Sequence, residues 1–356
     1  MVLDRLLETR RPRVLLACSG VGHVLRGYER VTCELAVRLR PILDARLVRG
    51  GGPWLNTPGI RLPCLHRGGA LTARITSNPQ VAYWLEQNTF SAPLYPLARA
   101  LDADWVHIHD PAVMNALWHA RQRLGGRFRI LFTNGGLLSP EHLHRADRVH
   151  VLSPVDEARL LAAGFPRTQV AFLPYGIDLP STPLCPSERG PLRIVSVGVL
   201  TLEKGVDVTI RAAAAIPDAQ LTLLGQRAQD TPVHEALLAE LLGPRGQMLT
   251  LAPSDVEGHL RRASVFVLPT RSEGFGMAVL EAMAIGLPVV VGDVPVLRWL
   301  VGDAGILVPP GDVAGFTHAL LSLTPDRSIA LGRAARLRAE AFSWNALGPK
   351  LASLYA

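Results

Sequence analysis

The stretch Arg271-Ser272-Glu273-Gly274-Phe275-Gly276-Met277-Ala278-Val279-Leu280-Glu281-Ala282-Met283-Ala284 decides how the rest of the chain is read. It follows a short apolar run, residues 265–268, with the content of a buried strand. From Met277 to Ile285 the composition turns to Ala, Leu and Met, which are good helix formers. A glycine-punctuated turn therefore carries the chain from a strand into a helix N-terminus. There, unpaired backbone N–H groups and the helix dipole favour an anion. Glu273 lies in the turn and Glu281 on the helix. Eight residues at about 100° each return Glu281 to within about 80° of the starting direction, so the two carboxylates can flank one ligand across the helix start. Taken singly these features are common: Gly-x-Gly before a helix is ordinary packing grammar, and a lone helical Glu is usually solvated. Their conjunction is specific.

Bulk properties bound the answer. A length of 356 residues fits two domains, each large enough to bury its own core. Hydrophobic content of 48% against 19% charged residues describes a packed globular protein and excludes a disordered chain. No apolar run approaches the roughly 18–20 residues of a membrane span. Residues 1–5 lack the apolar core of a secretory signal, so a cytoplasmic location is expected. Cys18, Cys33, Cys64 and Cys185 are scattered with no C-x-x-C pair, which fits free thiols in a reducing compartment and argues against a metal site. The net charge of +7 is uneven: residues 1–178 hold 22 Arg against 14 Asp and Glu, and the rest holds 15 basic against 16 acidic residues. A basic first half fits either a solvated surface or an anionic acceptor or acidic lipid as partner. No basic run interleaves with aromatics as single-strand binders require, so no nucleic-acid partner is expected.

Along the chain, strands alternate with helices. Residues 14–18, 43–48, 105–109, 130–133, 149–152 and 170–173 read as strands, with helical patterns after the first, between 78 and 101, and over 154–163. Residues 178–191 hold four prolines and little periodicity, and read as a linker. The alternation restarts with strands at 193–197, 220–224, 248–251, 265–268 and 288–291 and helices between them. Such alternation implies right-handed βαβ units and parallel sheets. The expected fold class is α/β, two doubly wound Rossmann-like domains with a cleft between the carboxyl ends of their sheets.

Other candidate residues sit at strand ends. Gly20, Gly22 and His23 form the turn after the first strand, and Arg26 follows; residue 25 is Leu, so G-x-G-x-x-G fails, which counts against a dinucleotide-dependent dehydrogenase. His109 and Asp110 close the strand from 105, and a histidine there either lines the cleft or is a hydrogen-bonded structural one. Glu203-Lys204-Gly205 opens a helix, where cation and dipole can both meet a phosphate.

The Glu273/Glu281 spacing, the Glu-Gly-Phe-Gly start at 273–276 and the continuation from Glu281 to Val290 resemble the E-x7-E signature of retaining family-4 glycosyltransferases of the GT-B fold (glycosyl transferases group 1). Gly27-Tyr28-Glu29-Arg30 with Glu34-Leu35-Ala36, and the run from Ala146 to Asp178 ending in Pro174-Tyr175-Gly176-Ile177-Asp178, are similar to that family too. The resemblance implies an acceptor-side domain over 1–180, a nucleotide-sugar domain over 181–335, and a closing helix over 336–356 that returns to the first domain. It implies a hexosyltransferase-type, metal-independent reaction from a nucleotide-diphosphate sugar, with no further cofactor. Glu281 would bind the ribose hydroxyls, and Glu273 would sit at the donor sugar as a catalytic residue, with His109 as the second catalytic candidate. Gly22, Lys204, Gly274, Phe275, Gly276 and Met277 would hold the donor and its diphosphate. Gly20, His23, Arg26, Asn134 and Val199 are further donor or acceptor contacts. Two positions depart from the family: Val199 stands where an arginine is usual, making Arg26 the candidate replacement cation, and Asn134 where a histidine is usual. The acceptor is expected to be anionic or lipid-linked, with the protein peripheral on the inner face of a membrane. The alternatives are a non-catalytic relative and a sugar-nucleotide epimerase; the Glu273/Glu281 spacing argues against the latter.

Overall fold

The computed structural model describes residues 10–24, 27–51, 58–135, 138–182, 190–228 and 231–356. Arg26 and Cys185 lie outside the described residues. The chain divides into two units: unit 1 runs to Leu173 and includes Gly348–Ala356, and unit 2 is Pro174–Leu347.

Unit 1 is built on seven strands: β1 (Arg13–Cys18), β2 (Asp44–Arg49), β3 (Ile60–Arg61), β4 (Trp105–Ile108), β5 (Arg129–Asn134), β6 (Arg148–Val151) and β7 (Val170–Phe172). They pair in the order β3-β2-β1-β4-β5-β6-β7, and every pair is parallel. Val14, Leu15, Leu16 and Ala17 of β1 are all buried, as a strand covered on both faces must be. On one face lie helices Pro79–Ala100 and Pro111–Leu124, whose Phe90, Leu94, Val113 and Leu117 share a core with Val106, Ile130 and Val149. Asn78 starts the first of these helices by accepting from Gln80 N and Val81 N, which satisfies two orphan donors. The closing segment is helical in two parts, Trp344–Leu347 and then a 3-10 run over Gly348–Tyr355. Gly348-Pro349 divides them, because neither residue favours a continuous α-helix. The end is tied into unit 1: Trp105 Nε1 donates to Tyr355 O at 2.9 Å, and Arg148 Nη1 donates to Leu354 O at 3.1 Å.

Unit 2 has six strands: β8 (Arg193–Val197), β9 (Gln220–Leu224), β10 (Gly246–Leu249), β11 (Val265–Leu268), β12 (Val289–Gly292) and β13 (Ile306–Val308). Their order is β10-β9-β8-β11-β12-β13, again all parallel. Ile210 and Ala213 of helix Val206–Ala214 and Phe316 of helix Val313–Leu321 fill one core with Val265, Val267 and Val290.

In both sheets the strand order reverses at one place, between β1 and β4 and between β8 and β11. Open parallel sheets bind ligands outside the carboxyl ends of the strands at such a reversal. Among the described residues, no helix is long and apolar enough to cross a membrane.

Candidate functional site

In unit 2 the reversal brings together the loop after β8 and the turn after β11. Two glycines make the approach feasible. Gly205 has φ +71, and a Cβ there would lie 2.3 Å from Pro269 O, so only glycine lets the loops pack. The seam is stitched by backbone: Arg271 N donates to Glu203 O at 2.8 Å, and Thr270 Oγ1 lies 3.2 Å from the same carbonyl. Across it, Lys204 Nζ donates to Glu273 Oε2 at 2.9 Å, with both side chains partly exposed. Glu273 Oε1 also accepts from Gly274 N at 3.1 Å.

Gly276, at φ +96, is the second glycine the turn requires. It precedes helix Met277–Ala284 in the left-handed conformation, and as the N-cap residue it offers that helix no side-chain cap. The first amides of an uncapped helix point outward without intrahelical partners, so they are available to an anion. Phe275 is buried edge-on against Tyr175 at 5.6 Å, which anchors the turn from beneath while Gly274 and Glu273 remain half-buried. Glu281 and Met277 are likewise half-buried on the helix, and Val199 is half-buried in the loop after β8. The sequence-derived donor residues of unit 2 thus collect at one switch point. Among the described residues, no group of three or more His, Cys, Asp or Glu side chains is placed to hold a metal ion.

Unit 1 presents a different picture at its own reversal. Gly20 O accepts from His23 N at 3.2 Å and Val24 N at 2.9 Å, closing the turn that carries Gly22. His23 Nε2 donates to Glu86 Oε2 at 2.8 Å, and its ring stacks on His66 at 4.3 Å. His109 is buried at 7% exposure, stacked on His107 with ring centroids 5.4 Å apart. Burial, together with the neighbouring His150, pushes its pKa down to about 3, so it is neutral at pH 7. Asn134 is also buried; its amide closes its own loop, accepting from Leu138 N at 3.3 Å and donating to Leu138 O at 3.4 Å.

Behind His109 runs a buried chain whose polarity is determined. His150 Nε2 must donate to the carbonyl of Leu173, at 2.7 Å. Its Nδ1 therefore accepts from Thr133 Oγ1 at 2.9 Å, and Thr133 in turn accepts from His107 Nε2 at 2.6 Å. His107 Nδ1 is left to accept from the Tyr355 hydroxyl at 2.7 Å. Burial depresses His107 well below its ordinary value and His150 to about 4.

Glu86, Arg67 and Tyr83 were not singled out from the sequence, yet they form the centre of a polar cluster at the unit 1 reversal. The available signal was register: Glu86 shares the four-residue spacing of buried Ala82, Phe90 and Leu94, which places a carboxylate in an apolar stripe.

The model of the glycosyl transferases group 1 matches residues 191–326. A D-inositol 3-phosphate glycosyltransferase of Corynebacterium aurimucosum is 30% identical over 77% of this chain and 68% of its own length. A phosphatidyl-myo-inositol mannosyltransferase of Mycolicibacterium smegmatis is 26% identical over 96% of this chain and 93% of its own length. The chain spans about half the length of other curated relatives it matches, 46% and 48% in two of them. Among solved structures, sucrose-phosphate synthase from Thermosynechococcus elongatus superposes with a TM-score of 0.79 at 22% identity, covering 97% of this chain and 98% of that one. The shared architecture is the GT-B fold, two Rossmann-like α/β units.

Proposed function

We propose that this chain, which belongs to the glycosyl transferases group 1, transfers a sugar from a nucleotide-diphosphate sugar to an acceptor hydroxyl with retention of anomeric configuration and without a metal ion. The observation that carries the reading is the Lys204–Glu273 pair, 2.9 Å apart, beside the uncapped start of helix Met277–Ala284. A diphosphate placed there meets one ammonium, the helix amides and the positive end of the dipole. Glu281, further along the same helix, is assigned the ribose hydroxyls, and Glu273 the donor sugar. In the transfer, the acceptor oxygen bonds the anomeric carbon as the bond from that carbon to the phosphate oxygen breaks. The departing phosphate oxygen takes the acceptor's proton. Lys204 and the amides stabilise the charge that develops on that phosphate, which is the place where fixed dipoles accelerate such a step. Phosphate charge answered in this way needs no metal.

For the acceptor we favour an anionic or lipid-linked molecule met at the inner face of a membrane. The name of the mannosyltransferase relative supports a lipid acceptor. So does the exposure, in the arginine-rich unit 1, of Leu71, Ile75, Val81 and Trp84 on two successive helices. A non-catalytic role and epimerisation are less well supported, because Lys204 and Glu273 are both present and joined.

The test is a panel of nucleotide-diphosphate sugars screened for binding, then for turnover, with the product's anomeric configuration read by NMR. Binding of a nucleotide-diphosphate sugar and a retained product are expected. Absence of binding by every donor would overturn the assignment of the unit 2 site, and an inverted product would overturn retention.

A further inference from the structure

The loops at the β1/β4 reversal hold a second built polar site, which the donor chemistry of unit 2 does not use. Its centre is Glu86, fully buried on the core face of helix Pro79–Ala100. Both carboxylate oxygens are saturated by loops at the ligand end of the sheet. Oε1 accepts from Arg67 Nε at 3.0 Å, Arg67 Nη2 at 2.6 Å and Ser19 Oγ at 3.1 Å. Oε2 accepts from the Arg67 backbone N at 2.7 Å and His23 Nε2 at 2.8 Å. Ser19 joins this node to Asp110, with its backbone N at 3.2 Å and its Oγ at 3.0 Å from Oδ2. Tyr83 donates to the other Asp110 oxygen at 3.1 Å, and the Arg67 guanidinium lies 4.2 Å over the Tyr83 ring.

Burial opposes ionisation of Glu86, but the hydrogen bonds from His23 and Arg67 prevail and hold it at about 2. Asp110 is pushed up by burial. Ser19 has one hydroxyl hydrogen between two carboxylates, so a proton on Asp110 would satisfy both contacts.

Stability alone does not account for such a node. A buried ion pair can often be replaced by packed apolar residues at no loss, whereas here each partner is a residue of a ligand-end loop. Arg67 and His23 keep 17% and 16% of their side chains exposed, while Glu86 has none. With the proton on Nε2, His23 Nδ1 is an acceptor, and among the described residues it is buried without a partner. It faces Gly51, where a Cβ would fall 2.2 Å away.

We propose that Glu86 is the positioning residue of the acceptor side: its carboxylate fixes His23 as the Nε2–H tautomer, aligns Arg67 and orients Ser19, and so shapes the unit 1 loops that receive the acceptor hydroxyl. The word acceptor rests on the glycosyl-transfer reading; the fixing of His23 and Arg67 does not.

The experiment uses the full chain labelled with 15N-histidine, as wild type, Glu86→Gln, Glu86→Asp and Gly51→Ala. Histidine NMR reads the His23 tautomer, denaturant unfolding reads stability, and steady-state kinetics with the donor and acceptor found active give separate KM values. In the wild type His23 carries its proton on Nε2. Glu86→Gln is expected to mix the tautomers and lower acceptor kcat/KM roughly 10- to 100-fold, with donor KM within about twofold (well under 1 kcal/mol). Glu86→Asp should restore part of the loss. Gly51→Ala, which leaves the carboxylate in place and crowds the His23 ring, should lower acceptor kcat/KM in the same direction, and it carries the test if Glu86→Gln does not fold. An unchanged tautomer in folded Glu86→Gln overturns the proposal. So does an equal loss in donor and acceptor KM, which is the mark of a merely structural role. If no donor is turned over at all, the glycosyl-transfer reading fails, and the tautomer still decides whether Glu86 sets His23.

Discussion

The two sheets reverse in the same way, yet their carboxyl ends are finished by opposite means. In unit 2 the end is open chemistry: one partly exposed Lys204–Glu273 pair, a glycine turn and an uncapped helix. In unit 1 it is closed chemistry, with Glu86, Asp110, His107, His109 and His150 all buried and hydrogen-bonded to other parts of the chain. The Lys204–Glu273 pair, 25% and 15% exposed, can exchange partners for a ligand at lower cost than a pair whose carboxylate is fully buried, because water already shares part of the work. A buried network holds one arrangement, because each broken contact strands a charge or a donor in a poor solvent. The difference fits the proposed division, in which the unit 2 end would bind and release phosphate while the unit 1 end presents a fixed wall.

Acid should break the comparison most visibly. His107, His109 and His150 are held neutral by burial, so their folded values lie below the ordinary 6.5. The unfolded chain binds these protons first; the stability they contribute is present above pH 6.5 and is lost as pH falls from there toward their folded values. Each histidine withdraws about 1.4 kcal/mol per pH unit in that window. Because all three imidazoles are depressed by burial, their losses fall in the same acid range and act in the same direction. The loops at 198–205 and 269–276 contain no histidine. Hydrogen exchange followed from pH 7 to 5 should therefore show β4, β5 and β6 losing protection before β8 and β11. Simultaneous loss in both sheets would erase the contrast.

Next in size is the removal of one carboxylate from each end. Glu86→Leu leaves the Arg67 guanidinium without its partner in a mostly buried place and should cost about 3–5 kcal/mol in urea unfolding. Glu273→Leu, at a pair that water reaches on both partners, should cost less, about 1–2 kcal/mol. Equal costs would mean that the two ends are not differently built.

Ligand binding should invert that ranking. Lys204→Met is expected to leave the fold intact and to weaken nucleoside-diphosphate binding by about 1.5–3 kcal/mol, the worth of a charge-assisted contact. Calorimetry with nucleoside diphosphates checks it, and an unchanged affinity would remove Lys204 from the phosphate site.

The smallest effect sharpens the picture of the pair itself. Lys204 is occupied by Glu273 before any donor arrives. Glu273→Gln should release it and tighten nucleoside-diphosphate binding by about 1 kcal/mol, a contact's worth no longer given up on binding. Turnover should fall in the same variant. Weaker binding together with lost turnover would show that Glu273 supports the phosphates rather than competing for the lysine.

How much of this was legible follows from sequence distance. Periodicity alone located the strands β1, β4, β8 and β11 and the helices after β1, β8 and β11, because side-chain spacing along a strand or helix repeats within a few residues. The unit 2 candidates were legible for the same reason: Glu273, Gly274, Gly276 and Met277 are neighbours in the chain, and the turn they form is dictated by a glycine that alone adopts φ +96 at no steric cost. Even Lys204 advertised itself, as one of two lysines in the chain, before a glycine and a helix.

The unit 1 site was hidden. Ser19, His23, Arg67, Glu86 and Asp110 come from four separate segments, and no local rule pairs a helix carboxylate with a loop arginine nineteen residues earlier. The histidines at 107 and 150 and the tyrosine at 355 likewise acquire meaning only in one buried chain. What the sequence determined by itself was the alternation of elements, the parallel sheets and the donor turn, all set by backbone preference and short-range burial. What only the tertiary structure decided was which polar side chains are desolvated together. That choice depends on sheet order and loop packing, and desolvation is the term that makes a pairing obligatory.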